Sequence, residues 1–158
     1  MYKKYFLHLF AIMMVAMLSV SMGSCSSDDD VNSNELEGIW GLVHSEGYDY
    51  EDPEEPLEWN ENHNPLNPNS YDDLKIEIIN TNGNTYLITQ YYWSPYSKTW
   101  QMDDTRITAT LNGKTLILNG GFKGTILTLN STQLVIERKE GNKYYVKETY
   151  RKLSSIGE

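Results

Sequence analysis

Pairs of turn-forming residues divide the second half of this chain into short segments, and this spacing constrains its fold more than any other feature. Asn82-Gly83 and Asn112-Gly113 favour the left-handed backbone of two-residue hairpin turns. Further turns are predicted at Asn119-Gly120-Gly121, Asn130-Ser131 and Gly141-Asn142. The chain between these points is therefore predicted to consist of consecutive hairpins.

Side chains alternate between apolar and polar along these segments. Leu74, Ile76 and Ile78 share one face of an extended chain, while Lys75 and Glu77 share the other. The alternation predicts about nine strands, two of which can be halves of one strand bent at residues 103–104. They cover residues 38–44, 74–79, 85–92, 98–102, 105–111, 115–118, 125–129, 133–138 and 143–151.

Consecutive hairpins form an antiparallel meander, and closing the meander removes its exposed edges. With 158 residues, the chain is expected to form one domain. We therefore predict an all-β fold, a small antiparallel up-and-down barrel of about 8–9 strands.

An acidic segment interrupts this pattern after the first strand. Residues 46–73 contain four prolines and many asparagines, and no Lys or Arg. This composition predicts a long loop without regular structure, of the kind that is functional or mobile. Carboxylates at residues 49–55 could bind calcium through oxygen atoms, but the segment lacks the spacing of an EF-hand loop. Calcium binding therefore stays open.

Charge and cysteine content exclude several classes of protein. The net charge is −9, which argues against a nucleic-acid partner because phosphate binding needs clustered Lys and Arg. The single cysteine, Cys25, allows no intramolecular disulfide and no multi-cysteine zinc site. Neither a metal nor a cofactor is predicted.

The first residues have the layout of a secretory signal peptide. Lys3 and Lys4 precede an apolar stretch over residues 5–22, and small residues, Gly23 and Ser24, stand directly before Cys25. The alternative is an uncleaved transmembrane anchor, for which this stretch is barely long enough. We predict a signal peptide over residues 1–24, a flexible acidic linker over 25–35 and a barrel domain over 36–154.

The tetrad Met22-Gly23-Ser24-Cys25 resembles the lipobox of bacterial lipoproteins. This resemblance implies that Cys25 is acylated and anchors the chain to a membrane. Asp28-Asp29-Asp30 resembles the acidic signal of lipoproteins that Gram-negative gut bacteria export to the cell surface. The resemblance implies an outer-membrane protein exposed on the cell surface; the alternative is a domain that faces the periplasm.

Two further motifs resemble those of a lipocalin-like domain found on lipoproteins of these bacteria. Gly38-x-Trp40 opens the first strand, and the meander ends with Thr149-Tyr150-Arg151. The resemblance implies a lipocalin-like barrel with a long loop after the first strand. It also implies that Gly38 and Trp40 form the barrel floor and that Arg151 packs over the Trp40 ring.

The sequence offers little for catalysis. After residue 25 the only histidines are His44 and His63, both predicted to lie on the surface, and no Gly-x-Ser-x-Gly motif is present. Paired carboxylates for glycoside hydrolysis are available, but those in residues 46–73 lie in a predicted loop, a poor platform for catalysis. We predict no catalytic residue and no enzymatic activity.

Aromatic residues are the best candidates for binding. One hypothesis is a small apolar ligand inside the barrel, with the acidic loop as a partial lid; its contacts would be Trp40, Tyr86, Trp100 and Tyr144. The alternative is a glycan-binding or complex-assembly lipoprotein that uses an exposed hairpin tip at Tyr92, Trp93 and Tyr96. A third is a structural accessory without a small ligand. The sequence does not indicate an oligomeric state.

Overall fold

The computed structural model describes residues 31–52 and 54–158. The predicted signal peptide, Cys25 and the acidic run 28–30 lie outside the described residues. Within the described part of the chain, no helix has the length and apolar character needed to cross a membrane.

One short helix and nine strands make up the described chain. They are α1 (Ser33–Leu36), β1 (Gly38–Asp49), β2 (Leu57–Asn62), β3 (Leu74–Asn82), β4 (Thr85–Ser94), β5 (Thr99–Asn112), β6 (Thr115–Leu118), β7 (Lys123–Leu129), β8 (Gln133–Glu140) and β9 (Tyr144–Leu153). The two segments predicted on either side of residues 103–104 are one strand, β5.

The strands close into a barrel. From β3 onward each strand pairs with the next in sequence, and β9 returns to pair with β1. The first residues of β1 also pair with β3. Strands β1 and β3–β9 therefore form a closed antiparallel barrel of eight strands. The predicted fold class, an all-β antiparallel up-and-down barrel, is confirmed.

The acidic segment is more ordered than the sequence predicts. β1 continues to Asp49, and Leu57–Asn62 forms β2 on the edge of β1 that β3 leaves free. Five of the six β2 residues are exposed, so the strand lacks the apolar alternation by which it could have been found. Its inward contact is Trp59, which lies against Gly47.

The floor of the barrel is built around Trp40. Its ring is fully buried, and its Nε1 donates a hydrogen bond to the carbonyl oxygen of Leu36 in α1, at 2.9 Å. The cation over this ring is Lys152, whose Nζ lies 4.2 Å from the ring centroid and donates to the Glu35 carbonyl at 3.0 Å. The short helix therefore closes this end through hydrogen bonds to both residues.

Arg151, the residue expected over Trp40, is exposed. The register pairs Trp40 with Lys152, and successive residues of a strand point to opposite faces. Gly38 does contribute to the floor: its φ is +127°, and a Cβ there would lie 2.7 Å from Lys152 Cε. A side chain at this position would displace the lysine and strain the backbone.

The core fills the barrel from the floor upward. Its members are buried apolar side chains from α1 and from every strand of the described chain except β2: Leu36, Trp40, Leu42, Ile76, Ile78, Tyr86, Ile88, Ala109, Leu111, Leu116, Ile126, Leu134 and Tyr150. Beyond them, toward the turns that join β6 to β7 and β8 to β9, the interior opens.

Candidate functional site

A cavity opens at the end of the barrel opposite Trp40. This mouth cavity has a volume of about 450 Å³. Apolar and aromatic side chains form part of its wall, and acidic and basic residues surround them. Its lining consists of Asp49, Glu51, Thr105, Ile107, Leu118, Asn119, Phe122, Lys123, Arg138, Glu140 and Tyr144.

A smaller space extends from the mouth cavity into the barrel. This inner pocket of about 80 Å³ shares Ile107, Leu118 and Arg138 with the mouth cavity and reaches the core at Tyr150. Gly124 lines this pocket. The absence of a side chain keeps the space open, since a Cβ at this position would lie only 3.1 Å from Ile136 Cγ2. The barrel is thus filled at its floor and unfilled above, a shape that admits a small molecule from one end.

An ion pair stands inside the barrel where these spaces meet. Arg138 on β8 and Glu148 on β9 approach to 3.3 Å between Nη2 and Oε2. Burial is the largest single influence on the pKa of Arg138 and acts to lower it, but Glu148, with Tyr144 and Tyr150, raises it overall. The guanidinium therefore stays charged, with only Glu148 as its partner in the described chain.

This pair is the feature that sequence reasoning missed, although a signal was available. In β8, Arg138 falls on the same alternate positions as the inward-facing Leu134 and Ile136, so its side chain points to the same face of the strand. In β9, Glu148 lies two residues from each of the buried Val146 and Tyr150, and its side chain therefore also points inward. A charge of each sign on the apolar face of adjacent strands indicates an ion pair inside the barrel, because isolated charges there are costly.

Two tyrosines beside the pair stay uncharged. Burial raises the pKa of Tyr150 well above its ordinary value, and the Glu148 carboxylate raises it further. Burial also raises the pKa of Tyr144. Both phenols are therefore neutral at ordinary pH and can donate a hydrogen bond.

A third space, which we call the side cavity, lies between the barrel and the segment after β2. Its volume is about 390 Å³, and it shares Arg138 and Tyr144 with the mouth cavity. Ser45 and His63 line it together with apolar residues of β1, β2, β3 and β9. The expectation of a surface histidine is wrong for His63, whose side chain is only 7% exposed. It was missed because the segment after β2 folds back onto β1, where the His63 amide donates to the Val43 carbonyl at 3.0 Å.

The structure does not bring the four predicted ligand contacts together. Trp40 and Tyr86 belong to the filled core, and Tyr144 lines the mouth cavity. Trp100 lies on the outer face of the barrel, with its ring 4.3 Å from Lys75 Nζ. Lys75 is next to the inward-facing Ile76 in β3, and consecutive side chains of a strand point to opposite faces. The contact between Lys75 and Trp100 therefore lies on the outer face of the barrel.

The predicted hairpin tip joins β4 to β5 and carries an exposed aromatic patch. Tyr96 is 89% exposed. Its ring and that of Tyr92 lie 6.1 and 6.4 Å, respectively, from the ring of Tyr71. Trp93 does not join this patch: it packs edge-on against Trp100, at 5.6 Å between ring centroids. The aromatic patch is therefore Tyr71, Tyr92 and Tyr96.

The acidic segment contributes side chains to both the mouth cavity and the side cavity. Asp49 and Glu51 line the mouth cavity, whereas His63 and Asp72 line the side cavity. Within residues 31–52 and 54–158, no three His, Cys, Asp or Glu side chains form a group that could hold a metal ion.

No protein-family model and no curated protein sequence matches the chain. Among solved structures it is similar to the siderocalin Ex-FABP, with 12% identity over 75% of this chain and 71% of that chain and a TM-score of 0.46. It is also similar to the amine-binding protein of Rhodnius prolixus in its tryptamine complex, with 12% identity over 87% and 73% and a TM-score of 0.49. A biogenic amine-binding protein is similar with 14% identity over 85% and 74% and a TM-score of 0.49.

Proposed function

We propose that this protein binds a small amphipathic molecule in the mouth of its barrel. The observation that carries the proposal is the unfilled interior, in which the mouth cavity of about 450 Å³ continues into the inner pocket. Ile107 and Leu118 provide apolar wall to both spaces, and Arg138 provides a charged group where they meet. Small-molecule sites commonly combine an apolar wall with a few placed polar groups.

Arg138 is the group that would orient the ligand. A guanidinium has several N–H donors, and only one bond, to Glu148, occupies them in the described chain. The remaining donors fit an anionic or strongly polar group, such as a carboxylate or sulfonate. The apolar body of the ligand would then lie against Ile107, Leu118 and Phe122.

Binding at this site needs no catalysis. Among the described residues that line the mouth cavity, none is a serine, cysteine or histidine. We therefore propose a non-catalytic binding protein, without a cofactor, as its primary role.

The proposed location is the outer membrane. Acylation of Cys25 would hold the chain on the lipid surface. The predicted linker over residues 25–35 ends inside α1, so the residues between Cys25 and this helix would let the barrel stand off by up to roughly 25 Å. The acidic run 28–30 supports a place on the cell surface, and the alternative is a barrel that faces the periplasm.

Gly124→Val tests the ligand site. The valine methyl groups would enter the inner pocket beside Ile136 and Arg138, so the affinity for an amphipathic molecule should fall about 10-fold, or about 1.4 kcal/mol. Fluorescence titration with the neutral dye Nile red and the anionic dye anilinonaphthalenesulfonate measures it. Both dyes should bind more weakly.

Thr125→Val is the matched control, because Thr125 is exposed on the outer face of the same strand. It should leave both affinities unchanged. Equal affinities in the two variants and in the wild type would place the dyes elsewhere and would contradict the proposed site.

A second candidate function rests on the aromatic patch. Exposed tyrosines provide apolar ring faces and hydroxyl groups, the features that suit stacking against a sugar ring. If the patch binds glycans, Tyr96→Ala should abolish retardation of the protein in polysaccharide-containing native gels. Tyr50→Ala, which removes an exposed tyrosine that stacks on Tyr48 and not on the patch, should migrate like the wild type. If Tyr96→Ala is retarded by the polysaccharide as strongly as the wild type, the aromatic patch does not bind glycans.

A further inference from the structure

Three polar side chains meet where the segment after β2 folds back onto the barrel. Ser45 Oγ and His63 Nε2 are 3.0 Å apart, within hydrogen-bond distance. On the other side of the ring, His63 Nδ1 lies 3.8 Å from Asp73 Oδ1. Ser45 is 9% exposed, and the side chains of His63 and Asp73 are 7% and 6% exposed.

Each member is held by a different element. Ser45 lies in β1 and faces the barrel interior, where it pairs in register with Glu148. His63 directly follows β2, and Asp73 directly precedes β3. The second carboxylate oxygen of Asp73 accepts hydrogen bonds from the amides of Asn69 and Ser70, at 2.8 and 3.0 Å. Asp73 Oδ1 accepts neither of these bonds and lies within ion-pair distance of the imidazole.

We propose that Ser45 is an activated nucleophile that accepts an acyl group from a carboxylic ester. The order hydroxyl, imidazole, carboxylate is the arrangement that activates a serine: the carboxylate favours the proton on Nδ1, and Nε2 is then free to accept the hydroxyl proton. This activity goes beyond binding in the mouth cavity, whose lining does not include Ser45.

Acylation of Ser45 transfers the acyl group from the ester and releases an alcohol. Ser45 Oγ forms a bond to the acyl carbon while its proton passes to His63 Nε2. The bond from that carbon to the alkoxy oxygen then breaks, and the alkoxy oxygen takes the proton from Nε2 and leaves as an alcohol. The products are a serine ester at residue 45, a free alcohol and a neutral His63. The Asp73 carboxylate stabilises the imidazolium that forms between the two transfers.

The side cavity indicates which esters would react. Ser45 and His63 both line it, and the apolar side chains Leu42, Trp59, Leu74 and Val146 form its wall. This wall fits an aliphatic acyl chain. Acidic groups also face the cavity, namely Glu61, Asp72 and Glu148, so an acyl chain that ends in a carboxylate is disfavoured. Arg138 is the cation among the lining residues and is available to a carbonyl oxygen that becomes negative.

Incubation of the purified protein with p-nitrophenyl butyrate tests the proposal. We expect a burst of p-nitrophenolate equal to the amount of protein, a single added butyryl group in the intact mass, and its location at Ser45 by proteolysis and fragmentation. Ser45→Ala should lose the burst. His63→Gln, which keeps a polar side chain but no general base, should react at least about 100-fold more slowly.

Matched controls separate reactivity from folding and from unspecific acylation. Ser94→Ala removes an equally buried serine that lines none of the three cavities, and His44→Ala removes the other histidine of the described residues, which lies in β1. Both should react like the wild type, and circular dichroism should show all variants folded. A purely structural role for the cluster would give no adduct at Ser45. That result, or an adduct confined to lysines and unchanged in Ser45→Ala, would overturn the proposal, whether or not dyes bind in the mouth cavity.

Discussion

Trp40→Ala should lower the free energy of unfolding by about 3–5 kcal/mol, the usual cost of truncating a fully buried aromatic ring. The Trp40 side chain is completely buried in the barrel floor. Its removal leaves a cavity, leaves the Leu36 carbonyl without its 2.9 Å donor, and takes away the ring under Lys152. Because α1 packs on this ring, the N-terminal end of the barrel should loosen as well. Urea unfolding followed by circular dichroism measures the difference.

Tyr96→Ala is the control for this prediction. It also truncates an aromatic ring, but one that is 89% exposed, so the free energy of unfolding should change by no more than about 0.5 kcal/mol. Trp40→Phe should lie between the two, since it keeps most of the buried ring and loses the hydrogen bond. A cost for Trp40→Ala below about 1 kcal/mol would contradict the role of Trp40 as the floor of the barrel.

Arg138→Met should weaken binding of anilinonaphthalenesulfonate by about 10- to 100-fold, since a hydrogen bond to a charged group contributes about 1.5–3 kcal/mol. Nile red, which is neutral, should bind with nearly unchanged affinity. The same substitution leaves Glu148 without its partner. Because the Arg138 side chain is 35% exposed and water reaches the pair, we expect a destabilisation of about 1–2 kcal/mol rather than the larger cost of a dry ion pair.

The double variant Arg138→Met, Glu148→Gln separates these two effects. It removes both charges, so stability should return close to that of the wild type, whereas binding of the anionic dye should stay weak. Chemical unfolding and dye titration of all four proteins complete the cycle. Recovery of anionic-dye binding in the double variant would show that Arg138 does not contact the ligand.

Much of the barrel could be predicted because its determinants are local. Asn-Gly turns and period-two alternation depend on neighbouring residues alone, and they located eight of the nine described strands to within five residues at each end. β2 escaped because it pairs with an edge and buries almost nothing, so its sequence carries no alternation. The four prolines of residues 46–73 predicted a loop throughout this segment, but they lie before and after β2 and not within it.

The candidate site was less predictable because it depends on which strands become neighbours. Parity alone identifies Arg138 and Glu148 as inward-facing, yet their ion pair depends on the register between β8 and β9. At the floor, alternation with the inward-facing Tyr150 places Lys152 inside and Arg151 outside, and the register then sets Lys152 opposite Trp40. A shift of one residue reverses the face of every side chain in a strand.

By itself, the sequence determined the fold class, the turn positions and the strands of a meander, because turn chemistry and side-chain alternation act over a few residues. Only the tertiary structure decided that the barrel is filled at Trp40 and open beyond Tyr150, and that Trp100 lies outside. It also decided that Ser45, His63 and Asp73 meet, although up to 28 residues separate them along the chain. Cavities and clusters arise from closure and register, and those are fixed only when strands distant in sequence pair.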